Sequence, residues 1–231
     1  VEKNWPKVYD LPCFYVNTEN KAPITSKEEY VKCTTTINNT KSEYKLSNSS
    51  GKIRGRGNST WKQEKKPYKL KFDESTDLFG SGSAKTWTLI ANHFDPTLIK
   101  NYLAYSVCNE FASQPYTTSL EFVDLYLNNE YQGVYAVCEQ IEAHKNRVNI
   151  KTSWGEPQDM NYLIELDNRL RLEHETGLNI FSSESNYYKI HYPDVEDTEY
   201  TQDFTDYVKN YFQDCYTAVN GKDWATISNL V

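Results

Sequence analysis

In PYKLKF the apolar and polar positions alternate without interruption, so Tyr68, Leu70 and Phe72 share one face while Lys69 and Lys71 share the other. That period of two predicts a half-buried strand. Residues 11–18, LPCFYVNT, predict a first strand closed by the polar turn ENKAP. Ser26 reads as an N-cap, with Glu29 three residues on completing a capping box. EEYVKCTTTIN is short and β-branched, and predicts a helical turn running into a strand. KSEYKLSNSSGKIRGRG shows polar alternation and then glycine punctuation, which predicts an antiparallel ribbon.

DESTDLFGSGSAK reads as a loop and TWTLIAN as a buried strand. Asp95-Pro96 opens the clearest helix, with proline in its first turn. Leu98, Tyr102, Tyr105 and Val107 to Phe111 supply the apolar spacing, and the helix ends before Pro115, because Gln114 is disfavoured in helical geometry there. SLEFVDLYLN and EYQGVYAVCEQI flank Asn128-Asn129 and predict a hairpin. NYLIELDN and NYYKIHYPD are further strands. Residues 195–214 predict an acidic amphipathic helix marked by Phe204, Val208, Tyr211 and Phe212, and NGKDWATISNLV begins a second short one. No internal repeat or low-complexity linker interrupts the chain. The sum is an α+β protein, with a mostly antiparallel sheet and a few helices. Its 231 residues suffice for one domain or for two lobes sharing a core.

Charge narrows the function classes. A net charge of -7 argues against a general nucleic-acid binder, which needs a basic face. No apolar run approaches the roughly 20 residues of a membrane span. The chain opens VEKNWPKV, without initiator Met or signal-peptide pattern, and reads as a mature or excised chain. Five cysteines (Cys13, Cys33, Cys108, Cys138 and Cys215) form no CxxC pair, so a zinc ribbon is not expected. Cys108 and Cys138 sit in apolar patterns and are expected to be buried, while Cys13 and Cys33 could pair in a secreted chain. Nineteen tyrosines and five tryptophans suit either a carbohydrate-facing surface or ordinary strand packing.

Against that acidic background, GKIRGRGNSTWKQEKKPYKLKF at 51–72 concentrates positive charge beside a glycine turn. Gly55 and Gly57 would let backbone approach an anion, and Arg54, Arg56, Asn58, Ser59 and Thr60 add donors. The third glycine of a dinucleotide fingerprint is missing, so the competing reading is a turn whose arginines pair with surface carboxylates. Lys69 and Lys71 could reach nucleotide phosphates, as a strand lysine does in protein kinases, or could simply face solvent. His93, His144, His174 and His191 have no metal spacing, and no serine has a nucleophile-elbow context. Asp124, Glu139, Glu142, Glu165 and Asp167 lie near strand ends, where paired acids would serve a glycosidase or bind Mg²⁺. Sequons occur at Asn38, Asn48 and Asn58.

IRGRGNSTW, KKPYKLKF, KTWTLIANHFDPTLIKNYLA, VDLYLNNEYQGVYAVCEQIE and YLIELDN, in that order over roughly residues 10 to 195, resemble the CotH (spore coat protein H) kinase family. The resemblance implies an atypical protein-kinase-like fold in a single domain, with a β-rich small-lobe-like part at about 10–150 and the start of a second lobe at about 151–231. It also implies ATP and Mg²⁺ as cofactors, and an extracellular, cell-surface or spore-coat setting. The implied partner is a protein substrate such as a spore-coat protein. Carried over by position, the RGRGNST turn would cover the phosphates, and Lys71, with Lys69 behind it, would pair with them. The DPTLIKNYLA helix would pack on the small lobe, and Glu139 would lie where an adenine docks.

The departure from the family is at the C-terminus. Family members continue into a second part where a W-D-x-D-like segment supplies Mg²⁺-binding aspartates, and nothing like it occurs before Val231. The resemblance therefore implies an incomplete second lobe, either truncated or a natural partial domain. Loss of those carboxylates would remove most phosphoryl transfer. Asp167 is the remaining candidate ligand. The alternative is a non-catalytic extracellular or cellulosome-associated module binding protein or polysaccharide, with Tyr126, Tyr131, Tyr135, Tyr187, Tyr188 and Tyr192 as its aromatic surface. A glycosidase, resting on the scattered acids, comes third.

Overall fold

The computed structural model of the chain describes residues 10–111, 116–170 and 175–230. The opening VEKNWPKV, Gln114, Pro115 and His174 lie outside them. The chain divides into two units, Val1–Ile141 and Glu142–Val231.

Alternation of side chains builds the first unit. Its strands are β1 (Cys13–Thr18), β2 (Val31–Asn38), β3 (Leu46–Gly55), β4 (Tyr68–Thr76), β5 (Ala84–Ile90), β6 (Leu120–Leu127) and β7 (Glu130–Glu139). One residue in two points inward: Phe14 and Val16, Ile37, Ile53, Leu70 and Phe72, Trp87 and Leu89, Val123 and Leu125, Tyr135 and Val137. Each such side chain contributes about 1.5–3 kcal/mol on full burial. The strands follow the order β1-β2-β3-β4-β5-β7-β6 and close into a barrel.

This closure corrects the expected fold class. The kinase-like α+β arrangement gives way to a seven-stranded closed barrel with few helices. The physical reason is one parallel pairing, β1 with β6, in which Cys13 opposes Asp124 and Tyr15 opposes Tyr126. It removes the edges that an open sheet would leave exposed. The β6–β7 hairpin helps to fasten it. Asn128 and Asn129 take positive φ of 53° and 69°, as a tight hairpin turn demands. The Asn128 side-chain oxygen then accepts from the Thr18 backbone N–H at 2.8 Å and the Thr18 hydroxyl at 3.1 Å.

Two local expectations also change. Ser26 Oγ accepts from the backbone N–H groups of Glu28 and Glu29, yet β2 follows at Val31 and no helix forms. The cap motif closes a turn instead, because β-branched residues follow it. Helix α1 (Lys100–Asn109) begins five residues after Asp95. Asp95 folds the intervening residues into a turn and accepts from the Lys100 backbone N–H at 2.9 Å.

All five cysteines are free thiols. Cys13 opposes Asn38 whereas Cys33 opposes Thr18, which places them at opposite ends of the β1–β2 ladder. Cys138 is buried as expected, but Cys108 is exposed on α1. In the second unit, β8 (Leu163–Leu166), β9 (Ile180–Ser183) and β10 (Asn186–Tyr192) form an antiparallel sheet in the order β8-β10-β9. Helix α2 (Gln202–Gly221) contributes Phe204 and Val208 to a core with Phe181, Tyr188 and Ile190, and α3 (Trp224–Leu230) follows.

Candidate functional site

The glycine turn is built around Trp61. A Cβ on Gly55 would lie 2.5 Å from the Trp61 indole, so that glycine is needed for the ring to rest on the strand end. Gly57 has φ +79°, and a Cβ there would lie close against the Thr60 hydroxyl. Trp61 in turn carries the Lys66 ammonium 4.8 Å from its ring centroid, and Lys66 donates to the Trp61 and Gln63 carbonyls. Lys65 donates to the Val134 carbonyl at 2.6 Å, and burial pushes its pKa down. The Lys65-Lys66 pair therefore serves the turn's own architecture. Sequence pattern alone missed this use of Trp61, although its place after the turn was a signal.

Arg56 leaves the turn toward a cavity of about 290 Å³, at the lower end of small-molecule sites. Thr60 and Pro67 line it from the turn, and Ile90, Ala91 and Asn92 from the end of β5. His93, Phe94, Asp95, Lys100 and Asn101 complete it from the loop into α1. Burial pulls the Arg56 guanidinium below its ordinary pKa, partly offset by the nearby Cys138 thiol and Tyr105 hydroxyl. A guanidinium that has already lost water gains most from an entering anion.

The opposite wall is pre-arranged. Asn92 has a positive φ of 50°, its side-chain N–H donates to the Leu98 carbonyl, and its side-chain oxygen accepts from Asn101. Asp95 is the carboxylate of the cavity and only 9% exposed. The Thr97 hydroxyl bond, aided by the Thr97 and Lys100 backbone N–H groups, holds its pKa below the usual range. Both its oxygens are engaged in those bonds. The donor set consequently does not fit a protein-held Mg²⁺ site. Among the described residues, no cluster of three acidic, histidine or cysteine side chains could hold a metal.

The remaining predicted cations lie elsewhere on the same outward-facing side of the sheet. Arg54 opposes Lys69, and Lys52 opposes Lys71. Next in register stand Thr88 beside Lys69 and Thr86 beside Lys71, both buried. None of Arg54, Lys69 and Lys71 lines the Arg56 cavity. Asn58 lies 3.4 Å from the Lys27 ammonium through its side-chain oxygen, and exposed Ser59 accepts from Gln63 through its carbonyl. Glu139 opposes inward-facing Trp87, so it has the opposite parity to the lysines. Its carboxylate accepts from the Tyr116 hydroxyl at 3.0 Å and the Ser119 N–H at 2.9 Å. The structure thus brings Arg56 and Thr60 together in one cavity, and Arg54, Lys69 and Lys71 together on one face. Sequence reading proposed no role at this cavity for Asn92, which it placed at the end of the TWTLIAN strand, for His93, which it weighed only as a metal ligand, or for Lys100, which it placed in the helix opened by Asp95-Pro96.

The other candidates disperse. Asp124 accepts from the Tyr131 hydroxyl at 2.8 Å. In the second unit, Asp167 accepts from the Nε–H and one terminal N–H of the Arg169 guanidinium, which depresses its pKa, and Glu165 contacts His191 at 2.8 Å. Of the tyrosines, Tyr135 and Tyr188 are core residues. Tyr126 stacks on Tyr15 with centroids 4.7 Å apart.

No curated protein matches the chain. A family model described as CotH kinase protein matches residues 53–222, from the middle of β3 to the end of α2. With well over half of its residues matched, the chain belongs to the CotH kinase protein family.

Proposed function

We propose that the protein is a kinase-like phosphotransferase domain that binds ATP with Mg²⁺ and acts on a protein substrate in an extracellular, cell-surface or spore-coat setting. The observation that carries this reading is the desolvated Arg56 at the wall of the 290 Å³ cavity, beside Thr60 and facing Lys100. Arg56 binds the polyphosphate by charge-assisted hydrogen bonds, Thr60 donates a hydroxyl, and Lys100 neutralises charge from the helix start. Arg54, Lys69 and Lys71 on the adjoining sheet face add a favourable long-range potential without lining the cavity. Mg²⁺, commonly held by substrate oxygens and few carboxylates, would be held here by the phosphates rather than by a protein donor set.

The alternative of a module binding protein or polysaccharide through a tyrosine surface has no single such surface behind it, because its tyrosines divide between cores and separate units. A thermal-shift titration tests the nucleotide reading. ATP–Mg²⁺ should raise the melting temperature of the intact chain, and Arg56→Ala should sharply reduce the shift. An unchanged melting temperature in the unmutated protein would remove the proposal.

A further inference from the structure

Away from the Arg56 cavity, the outer face of β2, β3 and β4 carries five cations in two adjacent rows. Lys32, Lys52 and Lys71 oppose one another across three strands, and Arg54 opposes Lys69 in the next row. Neighbouring strands are only about 4.8 Å apart, and like charges set directly opposite destabilise a ladder. In a chain of net charge -7, this is a local concentration that the fold works against.

Packing holds those charges in place. The Lys52 ammonium and the Arg54 guanidinium lie 4.8 and 5.0 Å from the Tyr30 ring centroid. Arg54 Nε is buried without a hydrogen-bond partner. Its ion-pair partner Glu28 stands 3.7 Å away on a side chain that is 84% exposed, where solvent screens the attraction. Lys32 and Lys52 also line a groove of about 630 Å³ with Thr34, Ser50, Asp73 and Glu19.

We infer that this face docks an extended, acidic polypeptide segment of a partner protein. Lys52 to Arg54 and Lys71 to Lys69 are each two residues along a strand, about 6.8 Å. Alternate side chains of an extended peptide repeat at the same spacing, so acids at every second position meet successive rows of cations. Thr34 and Ser50 hydroxyls serve the segment's backbone. Asp73 and Glu19 in the groove disfavour a uniform polyanion, which favours a segment mixing acids with neutral residues. This docking surface stands independently of the nucleotide reading.

The test is fluorescence anisotropy with a labelled ten-residue peptide of alternating Glu and Ser, against a Gln–Ser control. The Glu–Ser peptide should bind, weaken steeply with added salt, and lose tenfold or more in affinity with Lys32→Gln/Lys52→Gln. The control peptide should not bind, which keeps the test decisive even if the double variant folds poorly. Arg56→Ala should leave peptide affinity unchanged, so failure of the nucleotide reading and failure of this one are separable. Equal binding of both peptides, insensitivity to the double variant, or binding of polygalacturonate but not the peptide would each overturn the inference.

Discussion

Arg54 and Arg56 leave the same side of one chain segment two residues apart, yet they end in opposite surroundings. Arg54 faces Lys69 across the ladder and lies over Tyr30, on an open face with Lys52 and Lys71 nearby. Arg56 lies opposite Pro67, its N–H bonded to the Pro67 carbonyl, and turns into the cavity, where burial desolvates its guanidinium. The difference comes from what the fold places across from each arginine. It teaches that one basic stretch can supply two cationic surfaces of different kind, proposed above to take a polyphosphate in the cavity and an extended chain on the face.

The largest effect should come from removing the scaffold both surfaces share. Leu70 is fully buried between Lys69 and Lys71, and Leu70→Ala should cost about 2–5 kcal/mol in urea unfolding while weakening both surfaces. Gly55→Ala comes next. Its methyl meets Trp61, so overpacking should cost about 1–3 kcal/mol. That change should perturb the Arg56 cavity while sparing peptide binding to Lys32 and Lys52; equal losses at both would merge the two surfaces into one.

Acidification should then act on the cavity wall as well as on the Asp167–Arg169 pair. The Asp95 pKa is depressed, so its contribution to stability is present above the unfolded value and disappears as pH falls through the folded one. Melts at about pH 6 and about pH 3 should show a loss that is smaller in Asp95→Asn, and the difference should be smaller than the effect of Gly55→Ala. The smallest effect belongs to the open face. Lys52→Gln relieves repulsion from Lys32 and Lys71, and should stabilise by about 0.2–1 kcal/mol, more at low salt. Destabilisation there would show that the cations are structural.

Much of the scaffold was legible in the sequence, because strict alternation reports burial directly. Tyr68, Leu70 and Phe72 face inward as their pattern predicts, and the Asn128-Asn129 hairpin forms where its residue types require it. Barrel closure was not legible. The β1–β6 pairing joins residues more than a hundred positions apart, and no local pattern encodes a parallel partner. Helix α1 was misplaced because Asp95, Pro96 and Thr97 make the residues of a helix start, yet here they close a turn first. The candidate site was half visible. Charge and glycine spacing flagged Arg56 and Thr60, whereas the opposing Asn92 and Lys100 depend on tertiary placement.

Calorimetric titration with ATP–Mg²⁺ of the intact protein, Arg56→Ala and Lys71→Ala separates the cavity from the face. Arg56→Ala should lose about 1.5–3 kcal/mol of binding free energy, the worth of a charge-assisted hydrogen bond. Lys71→Ala should lose far less, because Lys71 acts only through the potential it adds. Undiminished affinity in Arg56→Ala, or a greater loss in Lys71→Ala, would contradict the assignment of the polyphosphate to the Arg56 cavity.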